Sequence, residues 1–192
     1  IEEIADAVLI AWYPGEEGGN AAADILFGNA NPAGRLPVTF YKSTADLPPF
    51  EDYSMKERTY RYFSGKALHP FGYGLSYTNF TYSDLSATKS KSDFKFLLHI
   101  ANTGMFDGDE VVQLYVRRIN KMQDEPIKQL KNFKRIQIKK GDTKVVSLLL
   151  TNKDLEYWDE RVNRYVVYPG EYEVMIGSSS EDIKLRYSFK IE

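Results

Sequence analysis

Hydrophobic and polar positions follow two different rules along the chain. Ala7-Val8-Leu9-Ile10-Ala11 is a continuous apolar run, which predicts a buried parallel strand. Pro14, Gly15, Gly18 and Gly19 mark a loop. Asn20 then stands where a helix cap is expected, with Ala22, Ile25 and Leu26 at helical spacing over Ala21 to Phe27. Gly28 and Asn29 end that helix, and Pro32 blocks its continuation. Leu36 to Phe40 predicts a second short strand. Strand, glycine loop, helix and strand form an α/β pattern, and two strands with one helix leave most apolar faces uncovered.

From about Phe80 the period becomes two. Phe94, Phe96, Leu98 and Ile100 alternate along one strand. Val112, Leu114 and Val116 share a face of the next, with Val111, Gln113 and Tyr115 opposite. Further strands are predicted at Leu130–Ile138, Val145–Leu150, Tyr172–Ile176 and Leu185–Ile191. Roughly seven short strands without a helix predict a two-sheet sandwich able to bury its own core. Trp158-Asp159-Glu160-Arg161 falls in a long loop between strands.

The expected organisation is mixed. Residues 1–45 read as the final part of an α/β sandwich domain. Residues 46–78 read as an aromatic-rich interdomain strap, and 79–192 as an all-β, immunoglobulin-like sandwich of the fibronectin type III kind. The strap holds Tyr53, Tyr60, Tyr62, Phe63, Phe71, Tyr73 and Tyr77. Disordered linkers are poor in aromatics, so an ordered segment lying across a surface is expected. Ile1 to Ala7 resemble the end of a helix running into a strand, which suggests that the start is a truncation or processing site.

Composition narrows the chemistry. Of 192 residues, 43% are hydrophobic and 14% aromatic, as in ordinary globular protein. Net charge is −2, and residues 76–192 carry 19 basic against 17 acidic side chains. The lysine-rich run from Lys128 to Lys140 therefore reads as a solvated sheet face, and no nucleic-acid partner is expected. No run of 18 apolar residues exists, so no helical membrane span is expected. Cysteine is absent, which excludes disulfides and thiolate chemistry. His69 and His99 are the only histidines and lie far apart, so neither a metal site nor a cofactor is expected.

Four residues stand out as substrate-binding candidates. Trp12 follows the first predicted strand and could stack on a ligand ring or simply pack. Glu17 adjoins Glu16 before a helix, where free N–H groups stabilise carboxylates. Adjacent acids point apart, so the pair is a poor two-sided clamp for acid/base work on a bond between them. Tyr60 and Arg61 lie in the strap, where the guanidinium needs a carboxylate or solvent. An interdomain ion pair is expected for Arg61, with a substrate hydroxyl contact as the alternative. No residue of the chain is expected to be catalytic.

Several stretches resemble glycoside hydrolase family 3, which contains many β-glucosidases and β-xylosidases. They are Tyr13-Pro14-Gly15-Glu16-Glu17-Gly18-Gly19-Asn20, Asn31-Pro32-Ala33-Gly34-Arg35-Leu36-Pro37 and Thr59-Tyr60-Arg61-Tyr62-Phe63. The run His69-Pro70-Phe71-Gly72-Tyr73-Gly74-Leu75-Ser76-Tyr77 adds to them. The sandwich is similar to that family's fibronectin-type domain through Gly108-Asp109-Glu110-Val111-Val112-Gln113-Leu114-Tyr115-Val116 and Pro169-Gly170-Glu171-Tyr172.

The resemblance implies an N-terminal (β/α)8 barrel carrying the nucleophilic aspartate. It also implies an acid/base glutamate upstream of Tyr13, with a retaining mechanism on oligo- or aryl-β-glycosides. On that reading the barrel and the remainder of the α/β domain are the partners of this chain, and a homodimer stays open. Compartment also stays open, with periplasm or exterior ahead of cytoplasm. The alternative is a non-catalytic sandwich module that binds carbohydrate or another protein.

Overall fold

A computed structural model describes residues 4–122 and 125–192. The first three residues of the predicted Ile1–Ala7 helix end lie outside the described residues.

Seven strands build the sandwich. One sheet holds β1 (Phe80–Ser90), β2 (Asp93–Asn102) and β5 (Thr143–Leu150), in the order β1-β2-β5. The other holds β3 (Gly108–Arg118), β4 (Gln129–Ile138), β8 (Gly170–Gly177) and β9 (Ile183–Ile191), in the order β4-β3-β8-β9. All pairings within these sheets are antiparallel. The alternation expected on β2 is realised: Phe94, Phe96, Leu98 and Ile100 are buried. They meet Val112, Leu114, Val116, Val174 and Ile176 from the facing sheet in one core. Phe189 joins Phe94 to Tyr172, with ring centroids at 4.4 Å and 5.6 Å, so aromatic contacts knit the β9 side as well.

The Trp158 segment is a hairpin and not a plain loop. Tyr157–Asp159 (β6) pairs with Arg164–Val166 (β7). A 3-10 turn at Asn152–Leu155 precedes it, with Thr151 and Asp154 forming a capping box. A turn of this kind needs only local polar side chains, which a period-two reading does not register.

The first forty residues depart most from expectation. Helix α1 covers Gly18–Leu26, three residues earlier at its start than predicted. Glu17 occupies the cap position without a side-chain cap bond. Asn20 instead donates to the Glu17 carboxylate at 2.6 Å, which draws Asn20 inside the helix. Gly28 ends the helix at φ 76, as its freedom from a Cβ allows. The run Ala7–Ala11 forms no ladder, because none of the described residues lies beside it as a strand. Leu36–Phe40 closes only a bridge, Phe40 with His69. Pro37 removes a donor from that pairing. Backbone bonds at either side, Leu36 to Tyr73 and Phe40 to His69, tie the segment to the strap.

The strap lies on the outer face of the four-stranded sheet. Its short helix α2 (Thr59–Tyr62) presents Tyr60, which stacks on Phe71 at 4.3 Å and meets Tyr115 edge-on at 5.8 Å. Gln113, Tyr115 and Met175 are consequently buried although they face away from the core. Covered on both faces, β3 carries the nearly unbroken apolar run from Val111 to Val116.

Candidate functional site

Two seams bind residues 4–77 to the sandwich. At the first, Arg35 reaches the open end of the sandwich and pairs with Glu110 at 3.2 Å. Glu110 is 3% exposed and also accepts the Tyr82 hydroxyl at 3.0 Å. Burial pushes the Tyr82 phenol up, and the neighbouring carboxylate adds to the effect, so Tyr82 stays a donor. Beside this triad, the Asn31 amide donates to the Asp107 carbonyl at 2.9 Å, and its oxygen receives Ser76 and Tyr77.

At the second seam the strap and the sheet exchange hydrogen bonds. The Ile127 N–H donates to the Arg61 carbonyl at 2.6 Å and the Leu130 N–H to the Tyr60 hydroxyl at 3.0 Å. Ser180 N–H donates to Phe71 and the Gln113 amide donates to Gly72. Gly72 is required here. Its φ is 81, and a Cβ would stand 2.1 Å from the Gln113 oxygen. A cavity of about 300 Å³ opens along this seam, with Thr39, Tyr60, Phe63, Ala67, Lys128 and Glu181 among its walls.

The four candidate residues do not converge. No hydrogen bond, ion pair or ring contact among the described residues joins Trp12 or Glu17 to Tyr60 or Arg61. Trp12 is exposed and held at φ 51, a conformation that bulky residues seldom take. Glu17 is spent on Asn20. Tyr60 is packed into the seam and lines the cavity. Arg61 forms no ion pair among the described residues. Its guanidinium lies 5.5 Å from the Tyr62 ring, and its Nε is buried without a hydrogen-bond partner. An ion pair between residues 4–77 and the sandwich is made by Arg35 with Glu110. The pairing itself gave no sequence signal, because Glu110 lies 75 residues from Arg35 on a strand whose other inward positions are apolar.

The acids show what the chain is equipped to do. Among the described residues the buried carboxylates, Glu110, Glu125 and Asp159, are each paired with an arginine: Arg35, Arg118 and Arg161. Asp52 and Glu57 are held below the usual carboxylate range by hydrogen bonds from Ser54 and Ser64. Asp159 is lowered by Arg161 and Tyr168. For Asp182, hydrogen bonds from Lys184 and Ser178 together outweigh burial, its largest single and opposing influence. A glycosidic general acid needs the opposite displacement, a carboxyl kept protonated near neutrality. Among the described residues no group of three or more His, Cys, Asp or Glu is placed to hold a metal ion.

The glycosyl hydrolase family 3 C-terminal domain matches residues 1–77, and the fibronectin type III-like domain matches residues 110–180. The chain belongs to glycoside hydrolase family 3. A xylan 1,4-beta-xylosidase of Xylanibacter ruminicola is 48% identical over 186 residues, covering 96% of this chain and 21% of that protein. A periplasmic beta-glucosidase of Salmonella typhimurium is 38% identical over 95% of the chain and 26% of its own length. Among solved structures, beta-glucosidase 3B from Thermotoga neapolitana in complex with alpha-D-glucose superposes with a TM-score of 0.90 at 35% identity. That match covers 98% of this chain and 28% of the other. This family 3 chain thus spans about a quarter of the length of the relatives it matches. It combines a C-terminal α/β portion with an immunoglobulin-like sandwich, as the periodicity and motifs led one to expect.

Proposed function

We propose that the chain is the supporting C-terminal portion of a retaining, exo-acting β-glycosidase. The enzyme would remove terminal non-reducing β-linked sugars, with a β-glucosidase as the first expectation and a β-xylosidase as the second. In this reading residues 1–45 complete an α/β domain, 46–78 strap it to the sandwich, and 79–192 brace the whole. The nucleophile and the acid/base come from polypeptide outside these residues.

A contrast in burial carries the reading. The sandwich closes its own core, whereas α1 contributes no buried residue. Tyr13 is fully exposed, and Phe27, Phe50 and Tyr53 are each more than 80% exposed. Large aromatic side chains left exposed in this number are read as the mark of a contact face. The downward displacement of Asp52, Glu57, Asp159 and Asp182 is opposite in sign to what the general acid of retaining hydrolysis needs, which accords with the same assignment.

Assay of the purified 192-residue chain with p-nitrophenyl β-glucoside and β-xyloside tests this. No turnover is expected, whereas the enzyme that carries the chain should hydrolyse at least one of the two. Turnover by the chain alone would overturn the proposal.

A further inference from the structure

Beyond the strap, the outer face of the four-stranded sheet carries a cluster of charges. Glu173 on β8 lies opposite Arg117 on β3 and accepts its Nε–H at 2.7 Å. Arg186, on the neighbouring β9, donates to the same Glu173 oxygen at 2.9 Å. Two guanidinium groups thus share one carboxylate oxygen. Among the described residues no other hydrogen bond engages them, so both keep N–H donors in hand. Their side chains are 42% and 52% exposed, so those donors are open to a solute.

A cavity of about 330 Å³ lies against Arg117 and Arg186. Its wall adds Lys128, which donates to the Ser180 carbonyl with one of its three N–H bonds. Burial lowers the Lys128 pKa; Glu181 opposes that, and Arg186 and Arg117 add to it. The three cations are therefore near enough to repel one another. Arg117, Lys128 and Arg186 stand against Glu173 and Glu181, three positive charges against two negative, so one positive charge is left uncompensated. The rest of the lining is apolar: Ile127 and Ile183 are half-buried and stand beside the buried Met175.

We infer that this cavity binds a small organic carboxylate with a compact apolar body. The carboxylate meets the free N–H groups of Arg117 and Arg186, whose planar forks suit recognition of two oxygens at once. The body lies against Ile127 and Ile183. A cation is repelled by the surplus positive charge. A neutral ligand of the same shape forgoes the charge-assisted hydrogen bonds. A bare inorganic oxyanion leaves the aliphatic wall wet and most of the volume unfilled. Glu181 repels the incoming charge and so limits the affinity, which makes it a lever for the test. The site lies outside the acid/base chemistry of glycoside hydrolysis, and its role is binding and not turnover.

The test uses the whole chain and three probes titrated separately at constant ionic strength: benzoate, benzyl alcohol and inorganic phosphate, each followed by amide chemical shifts. Weak, saturable binding of benzoate is expected, with shifts centred on Ile127, Ser180 and Glu181. Benzyl alcohol, which keeps the ring and loses the charge, should bind at least about 10-fold more weakly, and phosphate, which keeps the charge and loses the body, at least about 3-fold more weakly. Arg186→Gln should weaken benzoate binding by about 3- to 10-fold, and a melting curve separates that loss from lost folding. Glu181→Gln should tighten it by about 2- to 4-fold, a gain that misfolding cannot produce. No saturation with benzoate, benzyl alcohol or phosphate binding as tightly as benzoate, or no gain in Glu181→Gln would overturn the inference. None of these results bears on whether the longer enzyme hydrolyses glycosides.

Discussion

Replacing Arg35 by methionine should weaken the seam between the α/β portion and the sandwich at a cost that the geometry sets. The Arg35 and Glu110 side chains retain only 9% and 4% of their exposure, so the pair is buried and not a solvated surface contact. Exposed pairs contribute about 0–1 kcal/mol. Removing one member of a buried pair costs about 3–5 kcal/mol, because the surviving charge is left without its partner. Glu110 would keep only the Tyr82 hydroxyl. For a chain of this size, 1 kcal/mol corresponds to about 2–4 °C, so the melting midpoint should fall by roughly 6–20 °C.

Urea and thermal melts of four proteins test this: the parent, Arg35→Met, Glu110→Leu and the double variant. The double variant should recover most of the loss, since an apolar pair of similar volume replaces a buried ion pair at little cost. An Arg35→Met penalty below about 1 kcal/mol would refute the argument by assigning the contact the value of an exposed pair. A double variant as unstable as the sum of the singles would refute it too, because the two charges would then not be coupled.

Two other outcomes follow from the strap. Glu57 is stabilised by the backbone and hydroxyl of Ser64, so its folded pKa lies below its unfolded one; its contribution is present above the unfolded value and fades as pH falls through the folded value. Ser64→Ala removes the hydroxyl bond and leaves the larger backbone bond, so the Glu57 titration midpoint read by NMR should rise partway and not fully. Gly72→Ala combines a left-handed backbone with a contact 2.1 Å from the Gln113 side chain, and should destabilise the chain by about 1–3 kcal/mol in a urea melt, whereas Gly141→Ala meets no atom within 4 Å and should cost only its backbone strain.

The sandwich was legible in the sequence because its strands report burial locally. Phe94, Phe96, Leu98 and Ile100 alternate with polar or half-buried neighbours, and the period states which face is inward. The glycosidase motifs were legible for a similar reason, being contiguous. What escaped was non-local. Ala7–Ala11 has the composition of a strand, but a strand exists only beside a partner, and none stands there among the described residues. Arg35 and Glu110 look like surface charges until the fold brings them together. Tyr60 was singled out for its setting among aromatics, and the same setting explains its stacking on Phe71.

If the chain supports a larger glycosidase, the exposed side chains of Tyr13, Phe27, Phe50 and Tyr53 are a contact face within it. Hydroxyl-radical footprinting of these four side chains, in the isolated chain and in the enzyme that carries it, measures this directly. They should label freely in the chain and be strongly protected in the enzyme, while exposed Phe133 and Tyr165 on the sandwich serve as references. Equal labelling of all four in both forms would contradict the account.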